Sequence, residues 1–205
     1  MPNWCSNNLV LRGPKAKIEA LYQEIKGKEQ VLNVIRPRPE SLDITSGWVG
    51  ADDSPEQKAL VEKQEANLKE HGHKDWYSWS VANWGTKWDI DPEGLEVNQQ
   101  VAGSDEAEIS GWFESAWAPP IEAFDEYCEK NPDISYCYLS YNEPGMCFVG
   151  SFTAENGESF GEDTIDYSDS THKTVRSVIG ENYDDEWGIS NSMAEWAEEE
   201  EMENA

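Results

Sequence analysis

Trp4-Cys5-Ser6-Asn7-Asn8-Leu9-Val10-Leu11-Arg12, closed by Gly13-Pro14, is the stretch on which the fold turns. Residues 4–12 predict a β-strand that stops at the Gly-Pro pair. Pro14 suits a helix start, because its ring presets φ and the first helical turn leaves that N–H unbonded anyway. Ile18, Leu21, Tyr22 and Ile25 then recur at i, i+3, i+4 and i+7, the period that lines one helix face. Gly27 marks the stop, so the chain opens β-α.

The next stretch is less regular. Val31–Ile35 predicts a short strand before the Arg36-Pro37-Arg38-Pro39 break. A surface helix is expected over Pro55–Glu70, capped by Ser54 and stopped by Gly72. The Trp-rich stretch Asp75–Asp89 shows no clean period. Beyond it Leu95, Val97, Gln99 and Val101 alternate, as do Ile109, Gly111, Phe113, Ser115 and Trp117, which predicts a hairpin through Gly103-Ser104-Asp105-Glu106. Pro119-Pro120 opens a helix with Ile121, Phe124 and Cys128 on one face, and Asn131-Pro132 ends it. Residues 134–141 and 146–153 predict a second hairpin across Asn142-Glu143-Pro144-Gly145.

The order is β-α, an insertion, β-β-α-β and one added strand. It predicts an α+β fold: a ferredoxin-like βαββαβ antiparallel sheet, with an insertion after the first helix (about residues 28–94) and helices on one face. Such sheets need cover on one face only. Residues 1–154 are expected to form this domain. Residues 155–205 read as an acidic, partly ordered C-terminal segment in which Val175, Val178, Ile179 and Trp187 are the candidates for docking. Glu198-Glu199-Glu200-Glu201 is expected to fray through self-repulsion.

Charge is the strongest global signal. The 205 residues carry 42 acidic and 15 basic side chains, a net −27. Residues 1–91 hold only −2 of it, 92–154 hold −11 and 155–205 hold −14. A field of that sign repels phosphate backbones and anionic lipid, and attracts basic protein surfaces. Solubility alone would also account for it. Ten Trp, eight Tyr and five Phe supply enough apolar area for a compact core. Met-Pro-Asn-Trp shows no basic, apolar leader, so a cytoplasmic setting is expected, with Cys5, Cys128, Cys137 and Cys147 as reduced, mostly buried thiols.

Motifs for chemistry are sparse. The cysteines lack the paired spacing of a zinc site, and His71 and His73 are the only paired imidazoles. Asp89-Ile90-Asp91-Pro92-Glu93-Gly94 imitates the start of a calcium loop, but position 12 is Gln100 and Pro92 intrudes; a turn is the expected reading. No nucleophile elbow, phosphate loop or dinucleotide fingerprint occurs. No enzyme activity, cofactor or metal is therefore expected. Trp76, Trp79, Trp84 and Trp88 form the one alternative ligand site, an aromatic platform for a small molecule or glycan. The plainer expectation is that Trp84 and Trp88 cover the open sheet face while Trp76 and Trp79 anchor the insertion.

Three segments together carry a family resemblance: Met1 to Leu9, Asn83-Trp84-Gly85-Thr86-Lys87-Trp88-Asp89, and Trp112-Phe113-Glu114-Ser115-Ala116-Trp117-Ala118-Pro119-Pro120. Over roughly residues 1–155 the chain resembles the Api92-like phage and plasmid proteins. That resemblance implies a ferredoxin-like core, a mobile-element origin and a bacterial host; it transfers no catalytic residue. The functional expectation is an accessory protein that binds a basic surface on a host protein, in its sharpest form a DNA mimic inhibiting a nucleic-acid-binding or defence enzyme. Its candidate partner-binding carboxylates are Glu122, Asp125, Glu126 and Glu129 on the second core helix, then Glu158, Glu162, Asp163, Asp166 and Asp169.

Overall fold

The computed structural model describes residues 3–98 and 104–203. Its strands are β1 (Trp4–Pro14), β2 (Leu95–Asn98), β3 (Glu106–Ala116), β4 (Tyr136–Glu143), β5 (Phe148–Glu155) and β6 (Glu158–Asp166). Its helices are α1 (Lys15–Lys28), α2 (Leu32–Ile35), α3 (Pro55–His71), α4 (Trp76–Trp84), α5 (Ile121–Lys130), α6 (Val175–Ile179), α7 (Glu181–Trp187) and α8 (Ile189–Glu203). The strands form one sheet in the order β2-β3-β1-β4-β5-β6, with every neighbouring pair antiparallel.

The first four strands of that order, with α1 and α5 as crossovers, make two interleaved β-α-β units, which is the ferredoxin-like arrangement. Along β1 the buried residues Cys5, Asn7, Leu9, Leu11 and Gly13 alternate with half-buried ones. Leu9 and Leu11 pack with Ile18, Leu21 and Ile25 of α1 and with Ala123, Phe124 and Cys128 of α5. Burying each large apolar side chain in this layer contributes about 1.5–3 kcal/mol.

The insertion holds a helix where a strand was expected. Residues 32–35 form α2, because the Asp89 carboxylate accepts the backbone N–H groups of Val31, Leu32 and Asn33 at 2.7–3.0 Å, and that of Ile90 at 2.9 Å. An acceptor at the start of a turn satisfies donors that a strand would have needed a neighbour for, and so outweighs β-branched propensity. It also gives the calcium-like run a structural duty. Helix α3 forms as its caps predict, with Ser54 Oγ accepting from Gln57 N–H and Gly72 at φ 76°. The Trp-rich stretch becomes α4, started by an Asp75–Ser78 capping box.

Both hairpins differ in detail. Strand β3 begins at Glu106, inside the expected turn, while Gln99, Val101 and Gly103 lie outside the described residues. The second reversal falls two residues later than expected, because Glu143 extends β4 and turns its buried carboxylate onto the N–H groups of Gly145 and Met146.

The acidic C-terminal stretch departs furthest from expectation. Asn156 (φ 51°) and Gly157 (φ 84°) make a tight turn, and β6 returns along β5 as a second added strand. Helices α6 to α8 then cover the opposite face of the sheet, so helices lie on both faces rather than one. Val149, Tyr167, Val175, Ile179 and Ile189 form a second apolar cluster there, with Trp187 packed against it; Val178 is exposed. A few well-spaced apolar residues suffice, since each pairs with the outward-facing residues of an existing sheet. The Glu198–Glu201 run continues α8 instead of fraying, as repulsion of a few tenths of a kcal/mol per pair is small against good helix propensity.

Replacing Asp89 with Ala should cost about 2–3 kcal/mol, the range for losing hydrogen bonds to a charged acceptor. Urea unfolding followed by tryptophan fluorescence measures it; a loss below 0.5 kcal/mol, roughly the level of an ordinary surface change, would contradict this anchoring role.

Candidate functional site

At one end of the sheet the start of β1, the end of β3 and the loop after α4 meet, which brings together all three segments that carry the family resemblance. Trp117 N–H donates to the Asn3 carbonyl at 2.9 Å, and the Thr86 hydroxyl to the Ala116 carbonyl at 2.9 Å. The Trp4 and Trp88 rings lie 6.1 Å apart, and those of Tyr77 and Trp117 6.4 Å. The Lys87 ammonium sits 4.5 Å from the Trp88 ring centre, 5.0 Å from that of Trp117 and 5.8 Å from that of Tyr77. Three ring faces thus hold one cation. Trp117 adopts φ 72°, a costly conformation for a bulky residue, kept by its backbone bond and its ring contacts.

Beside this cluster lies a groove of about 820 Å³ between α5, β6 and the β4–β5 reversal. Trp117, Pro119, Met146 and Phe148 give it apolar walls, and buried Tyr141 is hydrogen-bonded through its hydroxyl to Thr164 Oγ1 at 2.7 Å. Glu122, Glu162 and Asp166 bring three carboxylates to it, and no lysine or arginine lines it. Glu122 presses against the Gly85 backbone, where a Cβ would collide with its carboxylate. That desolvation pushes the Glu122 carboxyl above its ordinary range, and nearby Glu162 pushes in the same direction. Apolar walls that carry carboxylates and no lining lysine or arginine suit a cationic side chain with an apolar stem.

The nine expected carboxylates separate into groups. Glu158, Glu162, Asp163 and Asp166 stand on β6, exposed, and Asp169 follows them, also exposed. Glu122 belongs to the groove and Glu129 is exposed on α5. None of these seven forms an ion pair among the described residues. The other two do not serve as free surface charge. Glu126 is paired with Arg36 and Lys130, and one Asp125 oxygen is buried without a hydrogen-bond partner. Helix spacing offered only the i,i+4 partner Lys130; the other cation on Glu126, Arg36, comes from the insertion.

The four-ring platform divides in the same way. Trp79 and Trp84 are core residues stacked edge-on at 5.5 Å, with Trp84 Nε1–H donating to the Arg36 carbonyl at 2.9 Å. Trp84 therefore fills the interior rather than covering an open face. Trp76 and Trp88 remain, in a hollow they share with Arg38 and Asp43. The histidines stand apart: His71 bonds Ser41 at 2.8 Å, His73 lies 3.5 Å from Asn83, and His172 lines an apolar hollow of about 450 Å³ beneath α8. All four cysteines are free and three are buried. Among the described residues no cluster of three metal-ligating side chains occurs, and no helix is long and apolar enough to cross a membrane.

The model of the ferredoxin-like domain in Api92-like protein matches residues 96–204, more than half of the chain. The chain belongs to the Api92-like family. The match runs from β2 to the end of α8, through the acidic segment that the three resembling blocks do not reach, while central strand β1 lies outside it. A crystal structure of a protein api92 from Yersinia pseudotuberculosis is similar at 11% identity and a TM-score of 0.43, over 80% of this chain and 98% of that one. No curated protein matches the chain.

What sequence reasoning missed in this site are its uncharged walls, Trp117, Met146 and Phe148. The one available signal was that the resembling blocks are rich in tryptophan and proline, residues that build rigid walls. The raised Glu122 pKa gives a test of the geometry. A carboxyl raised in the folded state favours folding below its unfolded pKa, and that advantage is lost as pH rises through the folded value. Glu122→Gln, neutral throughout, should therefore melt at a higher temperature than the parent at pH 7, with the gap closing near about pH 4. A lower melting temperature at pH 7 would show that the ionised carboxylate is instead stabilised there.

Proposed function

We propose that this protein works by binding a basic surface on another protein, through the exposed carboxylates of β6 and the groove beside them. The observation that carries it is the row of exposed carboxylates Glu158, Glu162, Asp163 and Asp166 along β6, none in an ion pair among the described residues, beside a groove that Glu122 also lines and no lysine or arginine does. Some acids elsewhere are neutralised, as Arg12 pairs with Glu108, Lys17 with Asp133 and Arg176 with Asp184 and Asp185. Charge left uncompensated in one region raises the local concentration of a cationic partner and speeds its docking.

In its specific form the proposal is nucleic-acid mimicry. An accessory protein of a phage or other mobile element would occupy the DNA- or RNA-binding channel of a host nucleic-acid or defence enzyme in the bacterial cytoplasm. Such a channel is built to take a row of negative charge. This assigns the chain no catalytic role. The small-molecule alternative loses two of its four rings to the core.

Capture from bacterial lysate tests the proposal, with the full chain as bait at about 50 and 200 mM salt. The expected partner is a nucleic-acid enzyme that duplex DNA displaces and the higher salt releases. Reversal of Glu158, Glu162, Asp163 and Asp166 to Lys should reduce its capture by about tenfold or more, a difference of about 1.4 kcal/mol. A partner retained by the reversed variant, unmoved by salt and by DNA, would overturn the proposal.

A further inference from the structure

Strand β6 is one edge of the sheet, and nearly all of its residues are exposed. Its backbone polarity can be assigned. Tyr167 N–H donates to the Cys147 carbonyl at 2.8 Å, and in an antiparallel ladder the inward-bonded residues alternate. Asp163 and Ile165 thus turn their backbone groups toward β5, while Glu162, Thr164 and Asp166 turn theirs outward. The side chains follow the same period. Glu162, Thr164 and Asp166 face the groove, opposite Phe152, Gly150 and Phe148 of β5. Three consecutive outward-bonding positions therefore present both free backbone groups and, at two of them, a carboxylate beside an apolar groove.

Exposed edges are commonly protected by lysine, proline or a bulge. Here the register shift opposite Phe152–Ala154, with Gly161 at φ 84°, breaks the strand upstream and leaves residues 162–166 as a regular ladder. No lysine and no proline occurs in β6. The carboxylates themselves keep a second copy away, because two such edges would set like charges face to face.

We infer that residues 162–166 of β6 take an added strand: an extended, arginine- or lysine-bearing segment of the partner protein, paired by backbone hydrogen bonds, with a basic side chain entering the groove between Glu122, Glu162 and Asp166. This rests on the basic-partner proposal and specifies its mode. Backbone pairing supplies affinity and the groove supplies selection for a cation with an apolar stem, which is how strand addition divides the two tasks. Residues of such a segment alternate in direction, so every second position would be basic.

The test is calorimetric titration of the full chain with a nine-residue peptide of alternating arginine and valine. Its control is a twin of equal charge N-methylated along its backbone. The plain peptide should bind about tenfold more tightly than the twin. Thr164→Pro removes an outward N–H that bonds nothing within the sheet and should erase that gap. Thr164→Val also loses the hydroxyl bond to Tyr141 but retains the N–H, and should preserve the gap. Glu162→Lys combined with Asp166→Lys should weaken both peptides. Equal affinity for the two peptides, or a gap that survives Thr164→Pro, would overturn strand addition, while salt-sensitive binding of both would leave the basic-partner proposal standing. Failure of the plain peptide to bind would overturn the inference, and the lysate capture then decides the broader proposal separately.

Discussion

Strand β1 is hydrogen-bonded along both sides, and its register constrains nearly everything else. It pairs with β3 from Trp4↔Ala116 to Pro14↔Glu106 and with β4 from Ser6↔Asn142 to Arg12↔Tyr136. A slip of one residue would turn Leu9 and Leu11 away from α1 and α5 and put Asn8 and Val10 in their place, an exchange the core could not absorb. The same register sets Asn3 beside Trp117, and so assembles the aromatic end of the sheet where the groove begins. Core and candidate site are two consequences of one alignment.

Not all of the acidity faces outward to a partner. Asp89 gathers four backbone N–H groups and starts α2. Buried Glu143 turns the β4–β5 connection. Glu186 accepts from Asn8 and Ser140, and Asp184 from Ser190, which fastens the α6–α8 layer to the sheet and to itself. Carboxylates make strong acceptors for backbone and hydroxyl donors, so a chain poor in cations can still use them structurally. The exposed row of carboxylates along β6 is more informative than the total of −27, because it lies on a sheet edge.

Much of the fold was legible in the sequence where a single element carries its own signal. The β1–α1 opening, the Ser54 and Gly72 caps of α3, the apolar face of α5 and the ferredoxin-like order all follow from local period and punctuation. The residues misread are those whose conformation depends on a distant group. Val31–Ile35 is helical because of Asp89, more than fifty positions later, and Trp84 is interior because Arg36 supplies its hydrogen-bond acceptor.

By itself the sequence determined the order of the βαββαβ core, the balanced first half and the acidic second half, since composition and short-range period are properties of the chain alone. It also determined that no familiar catalytic motif is present. Only the tertiary structure decided which carboxylates are free, which tryptophans are core, and that the acidic segment adds a strand and a second helical layer. The physical reason is that ion pairing, burial and edge exposure are relations between segments. Glu126 and Glu162 are both acidic residues in polar surroundings; Arg36 neutralises one, and the open sheet edge leaves the other exposed.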